Sequence, residues 1–336
     1  MKHLLPPTNL YKASLHTHST VSDGKLTPQE VKALYKAAGY SILALTDHHI
    51  ISRHPELDDA DFLTLTAIEL GLDSADYAPP QSFFGQTYHI NLIAKDPNNL
   101  WQPYPPKTVT DRNRAHVLQA HWDERQRVCS LECANEILQR AGEEGFLAIY
   151  NHPTWSKQSY PDYAGLKNLW ALEIRNTHNV LKGYDDNNHR VYQDLLELGN
   201  RLCVVAADDT HRPLTVGGSW TVIAAEQLTY PKVIEAMEKG DCYASCGPEI
   251  RELTLDGDTL RITCSDAAQI TLQTQARYAL RCAGEDGAPI REGVFDLSVW
   301  REKSAGNPNA FFRLTVTAPD GTYAVTRAYF LDELND

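Results

Sequence analysis

The chain has 336 residues, 42% of them hydrophobic, which is enough to bury a substantial core in one large domain with a smaller companion, so disorder is not expected. Lys and Arg total 31 against 44 Asp and Glu, a formal charge of −13; such a surface disfavours long nucleic acid, and an anionic substrate would have to be drawn in locally. No apolar run approaches the ~18 residues of a membrane span, Pro6 and Pro7 interrupt the apolar start where a signal peptide would continue, and an odd set of seven cysteines fits reduced thiols in a cytoplasmic protein better than a disulfide framework.

Residues 1–248 read as alternating strand and helix units. The first strand is expected over Lys12 to His16. Thr27 as N-cap, Pro28 at the first helical position and Glu30 closing a capping box then start an amphipathic helix that stops at Gly39. Further apolar runs follow in "SILALTDHH", "FLTLTAIEL", "YHINLIA", "GFLAIYNHP", "LWALEIRN", "RLCVVAADDTH" and "GSWTVIAAE". Helical patterns separate several of them, notably "CANEILQRAGEEG", "DNNHRVYQDLLELGN" and "YPKVIEAMEKGD". Short apolar strands divided by helices imply a parallel sheet buried on both faces, and seven or eight such units suggest an α/β, TIM-like barrel. Residues 95–127, rich in Pro and then in charge, read as an insertion with a helix that carries His116 and His121, both taken as a solvated face. Residues 251–336 change texture: "LTLDGDTLRIT" and "FFRLTVTAPDGTYAVTRAYFL" each alternate about a turn, at Asp256-Gly257 and Pro319-Asp320-Gly321. They predict a small antiparallel all-β sandwich domain. It holds no His, so metal chemistry is not expected there. Cys129/Cys133 and Cys242/Cys246 share a C-x3-C spacing that could suggest a structural zinc site, but Gly247 and Pro248 crowd the second pair and a zinc site is not expected there.

Polar residues collect at the C-terminal ends of the apolar runs. His16 and His18 end the first, with Asp23 just beyond; Asp47 and His48 end the second and Glu69 the third. His152 ends "LAIYN", Glu173 lies in "ALEIRN", and Asp209 and His211 end "CVVAADDTH". His89 is the exception, at the start of "HINLIA". In a parallel barrel every strand delivers its end to one rim, so residues far apart in sequence become neighbours. Six histidines and the carboxylates Asp23, Glu69 and Asp209 on one rim would be costly without cations, and divalent metals supply the compensation.

As an ordered set, His-x-His with a downstream Asp, "LTDHH", "AIEL", "NHP" and "DTH" resembles the polymerase and histidinol phosphatase (PHP) superfamily, whose fold is a distorted (β/α)7 barrel with a metal cluster at its rim. The β segment after "CGPEI" resembles the CehA/McbA-like branch of PHP metallohydrolases. The resemblance implies one metal held by His16, His18, Glu69 and Asp209, with Glu69 bridging to a second held by His89 and His152. A third would take Asp23, His48 and His211. Two to three divalent ions then outweigh the ligand carboxylates and make a locally positive mouth on an acidic protein, attractive to phosphate. Mixed nitrogen and oxygen ligands suit Mn, Fe or Zn, and such ions generate hydroxide near neutral pH.

Other residues are placed around this set. Asp47 is expected to orient a ligand from behind, the alternative being a plain capping carboxylate. His49 is either a proton donor or a simple rim residue. Arg175 and Arg212 lie beside Glu173 and His211, where a guanidinium either grips phosphate or forms a structural ion pair. His3, His54, His178 and His189 are assigned to surface or packing. The expected function is a metal-dependent phosphoesterase acting on a small phosphorylated substrate, a phosphomonoester or nucleotide. Hydrolysis of carboxylic esters, carbamates or amides by the same hydroxide, and a non-catalytic metal-stabilised binding module, are the alternatives.

Overall fold

A computed structural model describes residues 1–73 and 85–334. The short apolar strands are present, but they do not close into a parallel barrel. One sheet orders Cys242–Ser245, Trp220–Ala225, Asn9–Ser14, Ile42–Ala44 and Leu63–Leu65; a second orders Ala67–Asp73, Thr87–Ala94, Phe146–Tyr150, Ala171–Asn176 and Cys203–Ala207. The two face each other across an apolar interior built from both, including Leu15, Ile42, Ile149, Val205 and Ile223.

Pairing is mixed. Asn9–Ser14, Ile42–Ala44 and Leu63–Leu65 run parallel, as do the last three strands of the second sheet. Thr87–Ala94 is antiparallel to both of its neighbours, and Trp220–Ala225 to both of its own. A parallel pair needs a crossover, usually a helix, and the sequence has no helical pattern between "AIEL" and "YHINLIA". That reversal brings the start of the His89 strand to the edge where the other strands end. The first strand stops at Ser14, so His16 and His18 stand in the extended loop beyond it rather than on a strand face.

The first helix, Pro28–Ala37, carries the capping box of Thr27 and Glu30 and buries Val31 and Tyr35. Helices Leu131–Glu143, His189–Glu197 and Tyr230–Lys239 follow, the last ended by Gly240 at φ 72, a left-handed position that suits glycine. The insertion forms a two-strand pair, Trp101–Gln102 with His121–Trp122, and a short helix, Arg114–Val117.

Beyond residue 250 both expected hairpins form, with Asp256 opposite Thr259 and Thr317 opposite Tyr323. The segment is neither all-β nor separate in its sheets. Helix Ser298–Ser304 interrupts it, the N-terminal strand Lys2–Leu5 pairs with Ile250–Asp256, and Tyr323–Thr326 extends the first sheet by pairing with Cys242–Ser245. Phe311, Val325 and Phe330 share a core with Leu172, Leu195 and Val204. Alternation identifies strands; which edge a strand joins depends on partners far away in sequence.

Candidate metal centre

Loops following the strand ends bring seven of the nine expected ligands to one place, where they meet Glu69 from within Ala67–Asp73 and His89 from within Thr87–Ala94. His18, Asp23, His48 and His211 form one group; His16, His18 and Asp209 a second; His16, Glu69 and His152 a third; His48, Glu69 and His89 a fourth, with potential ligand atoms in each lying within 4.8 Å of one another. Glu69 is central. Its Oε1 lies 3.0 Å from His89 Nδ1, 3.2 Å from His16 Nε2 and 3.4 Å from His152 Nε2, and its Oε2 lies 3.2 Å from both His18 Nε2 and His48 Nδ1. Asp209 Oδ1 approaches His18 Nε2 at 3.1 Å and His16 Nε2 at 3.4 Å. Asp23 faces His211 Nε2 at 3.4 Å and is the one half-exposed carboxylate of the three.

The backbone is bent to reach this arrangement. His152 and Asp209 have φ of 27° and 51°, left-handed values uncommon outside glycine that tend to mark functional sites. His16 Nε2, both ring nitrogens of His18, Glu69 Oε2 and Asp209 Oδ1 are buried with no hydrogen-bond partner. Orphaned buried polar atoms are costly, and these five belong to four residues of one cluster. The donor set of imidazole nitrogen and carboxylate oxygen therefore fits divalent transition metals.

The electrostatics agree. Burial would lower the pKa of His16, but the charges of Asp209, Glu69 and Glu173 raise it well above 6.5; His18 is raised to about 10 because Asp209 and Glu69 outweigh its burial. Glu69 and Asp209 are held well below the usual carboxylate range by the surrounding imidazoles despite their burial. This is a field that holds cations. His48, by contrast, is lowered to about 4, by burial foremost.

Supporting residues surround the cluster. Glu173 accepts from His16 Nδ1 at 2.9 Å and from the His152 backbone N–H at 3.1 Å. Asn151 donates to Glu69 Oε1 at 3.1 Å, and Asn176 to Glu173 Oε2 and Asp209 Oδ2. These contacts lie outside the expected set, although Glu173 carries the same strand-end signal as the ligands. Asp47 touches the loop rather than a ligand ring: fully buried, it accepts from the backbone N–H and hydroxyl of both Ser19 and Ser22, at 2.7 to 3.0 Å. It thereby anchors the loop between His18 and Asp23.

His49 has φ of 60° and packs behind the cluster, Nδ1 3.4 Å from the Tyr104 hydroxyl; burial first, then the charge of His48, drives its pKa down to about 2. The two arginines part company. Arg212 lines a cavity of about 580 Å³ over the cluster, whereas Arg175 turns away, donating to Asn187 Oδ1 at 2.7 Å with its guanidinium over the Tyr323 ring. A register shift between Glu173 and Arg175 separates their directions. His178, read from the sequence as surface or packing, lines the cavity with its ring 4.9 Å from that of His211. His54 and His116 pack against each other, their rings tilted at 56° and 4.9 Å apart, and His189 packs on Tyr323 at 4.8 Å. Lys25 and Lys182 join Arg212 at the mouth.

No family model and no curated protein matches the chain. Among solved structures it is similar to a two-domain protein from Bacteroides vulgatus containing a predicted PHP-like metal-dependent phosphoesterase, at 17% identity over 98% of each chain with a TM-score of 0.46. It is also similar to an amidohydrolase from Chromobacterium violaceum, at 18% identity over 59% of this chain and 87% of that one with a TM-score of 0.37. A third is the lesion-specific endonuclease PfuEndoQ from Pyrococcus furiosus, at 13% identity over 68% of this chain and 56% of that one, TM-score 0.39.

Proposed function

We propose that this chain is a metal-dependent phosphoesterase of the PHP superfamily, in its CehA/McbA-like branch, that hydrolyses a small phosphomonoester or nucleotide. The observation that carries the reading is the set of buried, partnerless nitrogen and oxygen atoms on His16, His18, Glu69 and Asp209, which ask for cations. In this reading His16, His18, Asp23, His48, Glu69, His89, His152, Asp209 and His211 hold two to three ions of Mn, Fe or Zn. When bound, the ions supply Lewis acidity and a nucleophilic water at neutral pH.

The chain's own residues do the rest. Glu173 and Asn176 hold the ligands in orientation, and Asp47 keeps the Ser19–Ser22 loop closed. Lys25, Lys182 and Arg212 converge on the mouth, and among the described residues none of the three is engaged in an ion pair. Three uncommitted cations around a cavity favour an anionic substrate over a neutral ester, carbamate or amide. All seven cysteines are free, which supports a reducing, cytoplasmic setting.

Elemental analysis of protein purified without chelator should find two to three transition-metal ions per chain, and a panel of phosphomonoesters should be hydrolysed with chelation abolishing turnover. Arg212→Met should cost about 1.5–3 kcal/mol in kcat/KM, the scale of a lost charge-assisted hydrogen bond. Metal-free protein that gains no activity from Mn, Zn or Fe would sink the reading. Turnover of a neutral aryl ester, indifferent to Arg212 and to added phosphate, would move it to acyl chemistry.

A further inference from the structure

The cavity above the cluster has both apolar and basic lining. The strands Phe146–Tyr150, Ala171–Asn176 and Cys203–Ala207 are adjacent in their sheet, so the loops that follow them line the mouth side by side. The segment after each strand contributes an apolar side chain to the cavity: Trp155 from a loop, Leu181 from the short helix Thr177–Leu181 and Leu214 from the 3-10 turn Pro213–Thr215. Trp155 stands at the His89 and His152 end, its ring centroid 5.4 and 5.1 Å from those imidazoles. Leu181 and Leu214 are 59% and 85% exposed. Single exposed leucines are ordinary, but two that line one cavity together with a tryptophan leave apolar area in water that a ligand can cover. Basic residues gather beside His211. Arg212 follows it in sequence, and the Lys25 backbone N–H donates to the His211 carbonyl at 3.0 Å, so both basic residues stand near the Asp23, His48 and His211 group.

A substrate that satisfies both kinds of lining carries a dianion at one end and a flat apolar body at the other. Resting on the phosphoester reading above, we propose that the site selects phosphoesters of planar aromatic groups, an aryl or nucleobase-bearing phosphate, over alkyl and sugar phosphates, with the ring held against Trp155, Leu181 and Leu214. A tryptophan supplies a broad π face that accepts any such ring without needing a fixed hydrogen-bond pattern. About 580 Å³ lies within the usual range for sites that enclose a small organic ligand.

Leaving-group reactivity would confuse a comparison of turnover, so the test is binding of unreactive analogues to the manganese-loaded protein by calorimetry. Phenylphosphonate should bind at least about tenfold more tightly than methylphosphonate, the scale of covering and stacking one ring. Trp155→Ala should reduce that ratio to about two or less while Trp155→Phe preserves most of it. Leu214→Ser changes a residue outside the core, so it should fold normally, and it should lower phenylphosphonate affinity alone. Equal binding of the two phosphonates, or a ratio that survives both Trp155→Ala and Leu214→Ser, overturns the aromatic preference and leaves the phosphoester reading standing. Binding of neither phosphonate overturns both.

Discussion

His16 Nδ1 lies 2.9 Å from Glu173 Oε1, and that contact decides which nitrogen of the imidazole faces the cluster. With Nδ1–H donated to the carboxylate, Nε2 is left to point at Glu69 and Asp209, 3.2 and 3.4 Å away. A carboxylate behind a ligating histidine fixes its tautomer and raises its basicity. Glu173→Gln keeps the shape and removes the charge. Metal affinity at the His16 positions should fall about ten- to a hundredfold, read by competition with a chromophoric chelator, with the circular dichroism spectrum unchanged. Unaltered affinity would show that Glu173 only fills space.

Asp47 is expected to matter through the loop it holds. Four hydrogen bonds converge on its buried carboxylate from Ser19 and Ser22, and Asp47→Ala leaves two backbone N–H groups without that partner. The cost should be about 2–4 kcal/mol of unfolding free energy. Because the loop joins His18 to Asp23, the same variant should also lose metal from the His18, Asp23, His48 and His211 group. A shift below about 0.5 kcal/mol by urea unfolding, the range of an inconsequential surface change, would contradict the anchoring role.

How much of this was legible beforehand follows from where each signal lives. A histidine or carboxylate at the end of an apolar run is a local feature, so His16, His18, His48, Glu69, His152, Asp209 and His211 could be picked out before any strand was paired, although Asp47 and Glu173 carry the same signal. His89 looked anomalous because strand direction is not written in a strand's own residues; only the antiparallel pairing of Thr87–Ala94 puts its start beside the other strand ends. Arg175 and Arg212 carried the same local signal, and a register shift after Glu173 turns one of them toward Tyr323. The barrel expectation failed in the same way, since repeated strand and helix units do not encode the breaks where pairing reverses or stops. His178, in the short helix Thr177–Leu181, and Trp155, on a loop, stand in segments whose closeness comes from sheet order.

His189 provides a pH test at a distance from the cluster. Burial first, and then the charges of Arg313 and Arg175, lower its pKa from 6.5 to about 4. The unfolded chain takes up this proton near pH 6.5 and the folded chain only near pH 4, so the unfolded state binds more protons between those values and stability falls as pH drops through that window. The loss from this residue should be on the order of 2 kcal/mol between pH 7 and pH 4.5. Urea unfolding with chelator present should therefore show a steeper acid decline in the native sequence than in His189→Gln. Parallel declines would mean that His189 protonates in the fold as readily as in water.

The final prediction concerns residues 251–336. Removing them takes Tyr323–Thr326 from the edge of Cys242–Ser245 and Ile250–Asp256 from Lys2–Leu5, exposing unpaired strand edges on both sides. It also strips Phe311, Val325 and Phe330 from the core that contains Leu172, Leu195 and Val204, and burying each large apolar side chain stabilises by about 1.5–3 kcal/mol. The loss of three such side chains is comparable to the whole stability of a typical domain, about 5–15 kcal/mol. The contact of the Tyr323 hydroxyl with Asn187 Oδ1 at 2.7 Å, the same oxygen that Arg175 binds, would go as well, loosening the segment whose Asn188 braces Thr154 beside His152. A chain ending at residue 250 should therefore be aggregated or molten, with flattened near-ultraviolet dichroism, dye-accessible apolar surface and little bound metal. A truncated chain that stays monomeric, unfolds cooperatively and holds its full complement of metal would show instead that the strands before residue 250 close on their own core.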